Sequence, residues 1–173
     1  MSRPVRRQVV KTLLIVGEGE SEEALLRHLK AIYVKRDSGI AVTIKNARGK
    51  GAGNVIDVAA RASYGATFDK KVVVLDTDQD WNARTKEAAR KAKITAIASD
   101  PCLEASLLRA HHRTVEGLTP EQLKREFRKF FGDAASESSV YRTHFDSVYL
   151  VTAARNDAFF AALIDLFQLN WQK

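Results

Sequence analysis

The sequence predicts an α/β layered domain, with a mainly parallel four-stranded sheet flanked by helices and further helices packed onto it. Three observations carry this. Short apolar runs near residues 8–17, 40–44, 71–76 and 94–98 alternate with helical patterns over 20–35, 54–64, 82–91 and 101–113. That order is the signature of parallel strands joined by crossover helices. Leu13-Leu14-Ile15-Val16 and Val72-Val73-Val74-Leu75 are unbroken apolar runs, as in strands buried on both faces. Glu18, Asp76 and Ser99 fall at the carboxyl ends of three strands, where open α/β sheets hold ligands.

Each element has a local reason. The first strand runs into the turn Gly17-Glu18-Gly19. In the helix over 20–35, Ala24, Leu25, Leu26, Leu29, Ile32 and Tyr33 recur at three- and four-residue steps. Ser21 is the expected cap, and Glu22 and Glu23 suit the helix's positive end. The stretch from Asn46 to Gly53 is a glycine-rich basic loop, and Asn54 is placed to cap the second helix. Asn82 to Lys91 reads as the third helix, and Pro101 fits the first turn of the fourth.

Residues 8–113 thus form an α/β core, and 114–173 a helical extension of the same single domain. Thr119-Pro120-Glu121 opens a helix to Phe131, ended by Gly132. Residues 134–143 read as a short polar link. Beyond it Val148, Val151, Phe159, Phe160, Leu163, Ile164 and Phe167 outline helices to Leu169, with a break near Asn156.

The chain has 173 residues, with 45% hydrophobic and 28% charged, ordinary for a globular domain. No apolar run nears the ~20 residues that span a bilayer. No apolar signal region follows the basic start, so no signal peptide is expected and the cytoplasm is the expected compartment. One cysteine, Cys102, excludes an internal disulfide and a Cys-rich zinc site. Twenty-eight Lys and Arg against 21 Asp and Glu give a net charge of +7. That balance suits a polyanion such as nucleic acid, though a basic soluble protein would show it too.

The chemistry concentrates in two acidic clusters. Glu18, Glu20, Glu22 and Glu23 follow the first strand; Asp76, Asp78 and Asp80 follow the third. Either alone reads as helix-start stabilisation. At corresponding strand ends they read as one site. Glu18 and Glu22 are four apart, and Asp76 and Asp78 flank one residue, so each pair can face a common point. Clustered carboxylates of this kind suit Mg2+ or Mn2+. Asp80 reads as a helix cap, and Glu20 and Glu23 as solvated. Arg48 and Lys50 are candidate phosphate contacts in the basic loop. That loop lacks the Gly-Lys-Ser/Thr ending of a nucleotide-binding P-loop, so ATP hydrolysis is not expected. Ser99 reads as a cap rather than a nucleophile. His111 and His112 are adjacent and point to different faces. Trp81 suits either base stacking or cover for the sheet edge.

Leu14-Ile15-Val16-Gly17-Glu18-Gly19-Glu20-Ser21-Glu22 resembles the opening motif of Toprim domains, and Val73-Val74-Leu75-Asp76-Thr77-Asp78 resembles their Asp-x-Asp strand. Ala98-Ser99-Asp100-Pro101-Cys102-Leu103-Glu104-Ala105-Ser106-Leu107-Leu108 resembles the Ser-Asn-Pro-Cys-Phe-Glu-x-Trp-Leu-Leu segment of the RloB-like family. Asp100, Leu103 and Ala105 depart from that pattern. The three motifs stand in family order over about residues 10–113. The resemblance implies a Toprim-like fold and a Mg2+-dependent nuclease of bacterial anti-phage defence or abortive infection. It implies Glu18, Asp76 and Asp78 as catalytic residues. Glu22 and Glu104 join those three as metal ligands, and Cys102 is expected to pack. It also raises a partner ATPase. Two other readings remain. One is a non-catalytic module that binds nucleic acid or a nucleotide beside a partner protein. The other is a receiver-type phosphoacceptor domain, whose single Asp and late Lys are not matched here.

Overall fold

The structure is a computed structural model and describes residues 11–168. Residues 8–10 of the expected first strand, and Leu169, lie outside them. Strands β1 (Lys11–Gly17), β2 (Ile40–Asn46), β3 (Lys70–Asp76) and β4 (Thr95–Ser99) form one sheet in the order β2-β1-β3-β4. Every pairing is parallel, with Gly17 opposite both Asn46 and Val74, and Asp76 opposite Ser99. The α/β layered arrangement expected from the alternation is therefore what the chain adopts, and it is consistent with a Toprim-like layered domain. The two central strands are β1 and β3, the ones that end in the acidic clusters.

Alternation along these strands divides the core. Leu13, Ile15, Val72, Val74 and Ile97 face one layer, packing with Leu25, Leu26 and Leu29 of α1 (Glu20–Tyr33). Leu14, Val16, Val73 and Leu75 face the other, against Val55, Ile56 and Ala59 of α2 (Gly51–Ala62) and Ala89 of α3 (Ala83–Lys91). Burial on both faces explains why β1 and β3 read as continuous apolar runs.

The remaining helices are α4 (Leu103–Ala110), α5 (Pro120–Phe131), α6 (Ser138–His144), α7 (Ser147–Asn156) and α8 (Ala158–Phe167). Phe127, Tyr141, Phe145 and Phe160 are almost wholly buried and belong to the same apolar cluster as β1 and α1. Thr119 caps α5 as expected, its Oγ1 accepting from the Gln122 N–H, with Pro120 in the first turn. The break near Asn156 falls where Asp157 ends α7 and caps α8.

Several local expectations are corrected. Gly19, not Ser21, caps α1, and Glu22 reaches back to accept from the Gly19 N–H at 2.8 Å. The second helix begins at Gly51, so Asn54 lies inside it and instead donates to the Ala47 and Gly49 carbonyls. Asn82, not Asp80, caps α3, accepting from the Arg84 and Thr85 N–H groups. Pro101 precedes α4, which Cys102 opens and which ends at Ala110. Residues 138–144, read as part of a link, form α6. Val148 and Val151 face solvent, at 75% and 47% exposure, rather than the core.

Candidate active site

Glu18 is the first residue past β1. Its backbone continues the sheet pattern, the Glu18 N–H donating to the Val74 carbonyl at 2.9 Å. Its side chain crosses to β3, where Oε2 accepts from the Asp76 N–H at 3.2 Å. The two acidic strand ends are thus tied directly. The basic loop joins them from the other side. The Gly49 N–H donates to the Glu18 carbonyl at 2.7 Å, and the Gly51 N–H acts on the Glu18 carboxylate.

Asp76 is held by β4 and α4. Its Oδ1 accepts from Ser99 Oγ at 2.6 Å and from the Leu103 N–H at 2.9 Å. Ser99 is therefore neither a helix cap nor a nucleophile in waiting; its hydroxyl orients Asp76 or returns to the Leu75 carbonyl. Glu22, on the first turn of α1, and Glu104, on the first turn of α4, are buried behind Asp76.

The electrostatics follow from packing these acids together. Burial pushes Asp76 up to about 8, with Glu22, Glu104 and Glu18 adding repulsion and Ser99 opposing it. Burial likewise pushes Glu22 up to about 7, with Glu18 and Glu104 adding to it and the Gly19 N–H opposing. Glu18 is raised by burial and by Asp78, while the Asp76 and Gly51 N–H groups and Lys124 act against the rise. Asp78, exposed at the outer rim, is raised by burial and lowered by Lys124. Below the cluster, the buried Tyr141 hydroxyl donates to the Ala135 carbonyl, its own pKa raised by burial and by Glu22 and Glu104.

Glu18, Glu22, Asp76 and Asp78 therefore lie near one another at one sheet edge, as their spacing suggested, and Glu104, which only the family resemblance singled out, lies beside them. Among the described residues, no group of three or more His, Cys, Asp or Glu side chains takes an arrangement that could hold a metal ion. Carboxylate oxygen is nevertheless the donor type that Mg2+ or Mn2+ takes. Asp80 stands apart from the five, accepting from the Gly53 N–H and from Asn82 Nδ2. Glu23 is engaged by Arg27 and Asn46.

Arg48 and Lys50 are exposed on the loop that reaches Glu18. Residues 48–51 all have positive φ, from 61° to 78°. For Arg48 and Lys50 that is a strained backbone. Arg48 lines an open cleft of about 900 Å³ with Gly19, Lys45 and Asn46. Lys124 is the group that sequence reasoning missed. It lies on α5, 46 to 106 residues from the acids it faces, and only the tertiary fold brings it near. Its neighbours at Arg125, Arg128 and Lys129 gave a basic signal, but not a direction.

Cys102 is fully buried, and burial pushes its thiol up to about 12, so it packs as expected. His111 is ringed by Phe131, Phe145, Tyr149 and His144, whereas the exposed His112 contacts Asn156, so the two histidines share no site. No described helix is long and apolar enough to cross a membrane. No family model, curated protein or solved structure matches the chain.

Proposed function

We propose that this chain is a Mg2+- or Mn2+-dependent phosphodiester hydrolase acting on nucleic acid. The observation that carries the reading is the joint acidic edge, where the Glu18 carboxylate bridges to the Asp76 backbone and Asp78, Glu22 and Glu104 crowd the same place. Glu18, Asp76 and Asp78 would hold the metal, backed by Glu22 and Glu104. A bound divalent ion supplies Lewis-acid polarisation of a phosphoryl oxygen and a more acidic water.

The chain's own groups supply the rest. Ser99 and the Leu103 N–H fix one oxygen of Asp76, Oδ1. The Asp76 N–H orients Glu18. The raised pKa of Glu18 suits a group that accepts and returns a proton. Lys124 offers a positive charge to a phosphate at the rim, and Arg48 and Lys50 offer others from the loop. On the sequence resemblance the enzyme belongs with RloB-like, Toprim-type defence nucleases, works in the cytoplasm and acts with a partner ATPase.

The test is cleavage of labelled single- and double-stranded DNA and RNA with Mg2+ or Mn2+, comparing wild type with Glu18→Gln and Asp76→Asn. Wild-type cleavage that falls by about a hundredfold or more in both variants is expected. Equal cleavage by all three would overturn the site.

A second reading has its own support. Asp76 Oδ1 and Glu22 Oε2 are already engaged by protein donors, as in a site built to stay closed. A non-catalytic module that binds nucleic acid or a nucleotide for a partner is the outcome if folded wild type binds but never cleaves.

A further inference from the structure

Basic charge in this chain is not spread evenly. Helix α3 and the turn after it expose Arg84, Lys86, Arg90, Lys91 and Lys93, against a single acid, Glu87. Glu87 is taken by Arg90 at 2.7 Å and Lys91 at 3.9 Å. Among the described residues Arg84, Lys86 and Lys93 make no ion pair, so their charge is free for a polyanion.

An aromatic residue stands at the head of this ridge. Trp81 packs one side against the apolar layer under α2 and α3, and it remains part exposed. The Lys86 ammonium lies 5.5 Å from its ring centroid. A half-exposed indole beside free cations is the arrangement that stacks a base while neighbouring charges hold its phosphates.

The ridge is joined to the acidic edge. Trp81 lies three residues beyond Asp78 on the same loop. Asp80, between them, accepts from the Gly53 N–H at the start of α2, and a Cβ on Gly51 would sit 3.4 Å from the Asp80 Cβ. Two residues before Gly51, the Gly49 N–H donates to the Glu18 carbonyl at 2.7 Å. The path from Glu18 to Trp81 therefore crosses only the touching starts of α2 and α3.

We infer that Trp81, Arg84 and Lys86 form a binding track for an unpaired nucleic-acid strand, leading to the acidic edge. Trp81 stacks a base, which a duplex would keep inside its own stack, and the two cations contact flanking phosphates. The inference deepens the nuclease reading by naming the form of its substrate. Its test reads binding alone, so it stands or falls apart from cleavage.

The experiment measures binding in EDTA by fluorescence anisotropy. The probes are labelled oligothymidylate and oligouridylate of about 12 nucleotides, with a blunt duplex of similar length as the third arm. Both single strands are expected to bind at least about tenfold more tightly than the duplex, and the ratio between them tells DNA from RNA. Trp81→Ala should weaken single-strand binding about tenfold, and Trp81→Phe should restore most of it. Arg84→Ala with Lys86→Ala should lower the slope of log affinity against log salt by roughly 1 to 2. Those two positions are exposed, so the double variant remains folded and informative even if Trp81→Ala does not. Wild-type indole emission should be quenched by the single strands, with Trp81→Phe correcting for Trp171. Equal affinity for duplex, unchanged binding in both alanine variants, or the absence of quenching overturns the track.

Discussion

Asp76 accepts two hydrogen bonds through one oxygen, Oδ1, and its backbone N–H holds Glu18. The residue is thus fixed in shape but unfavourable in charge, because Glu22, Glu104 and Glu18 surround it. The ordinary values of Asp76 and Glu22 are 3.8 and 4.5, and in the folded chain they rise to about 8 and about 7. Through that window the folded chain binds more protons than the unfolded one, so stability falls as pH rises and levels off above the folded values. In EDTA, thermal unfolding should give a higher Tm at pH 5 than at pH 8. Asp76→Asn keeps the Oδ1 acceptor and removes the charge. It should stabilise the protein at pH 8 by on the order of 1–3 kcal/mol and flatten the pH profile. Mg2+ should raise the Tm of wild type at pH 8 and leave Asp76→Asn nearly unmoved. A profile that rises with pH would sink this account. Glu18, Glu22, Asp76 and Asp78 were legible in the sequence because strand-end position and residue type are local facts, whereas Glu104 came only from the family resemblance. Lys124 and the role of Ser99 were not, since each acts across the fold on a residue at least 23 positions away.

At the scale of elements, the strands, most helices and the Thr119 cap of α5 were legible, whereas the starts of α1, α2 and α4 were not. Gly19 has no side chain to mark it as a cap, and Glu22 supplies the missing bond from inside the helix. The start of α2 is less readable still. Lys50 occupies its cap position with φ of 75°, a conformation that residue type does not suggest. The reason lies outside the helix: the loop must pass close enough to the end of β1 for the Gly49 N–H to meet the Glu18 carbonyl. Gly49 and Gly51 tolerate this backbone, while Arg48 and Lys50 are strained by it. Lys50→Gly should therefore raise stability by about 0.5–1 kcal/mol, read as a higher urea midpoint at unchanged m. If Lys50 meets phosphate, the same variant should bind nucleic acid more weakly and with a smaller salt dependence. A stability gain without an affinity loss would keep the strain argument and remove Lys50 from the interface.

At the scale of the whole molecule, the helices after residue 113 are part of what positions the site. Tyr141 of α6 lies under Glu22 and Glu104, its hydroxyl bonding the Ala135 carbonyl and, at 3.3 Å, that of Ser21 in the first turn of α1. His28 of α1 meets the Phe145 carbonyl at 2.6 Å. Arg109 of α4 pairs with the buried Asp157 at 2.7 Å and also donates to the Asp100 carbonyl, tying the turn before α4 to the start of α8. The sequence marked residues 114–173 as helical but carried no sign of the ties of Tyr141 to Ser21, His28 to Phe145 and Arg109 to Asp157, which join residues 48 to 120 positions apart. Phe127, Phe145, Phe160 and Phe167 also cover Leu25, Leu29 and Leu107 in a common core. Removing the extension would uncover that apolar surface, at about 1.5–3 kcal/mol for each large apolar side chain exposed, and would leave Arg109 without its acid. Native stability totals only about 5–15 kcal/mol. A chain ending at Arg113 should therefore fail to fold, giving no cooperative melt by circular dichroism and no acidic edge. Limited proteolysis of the full chain should likewise yield no stable fragment near residues 11–113. Recovery of such a fragment with a sharp thermal transition would show that the layered core stands alone and that the C-terminal helices are an accessory to it.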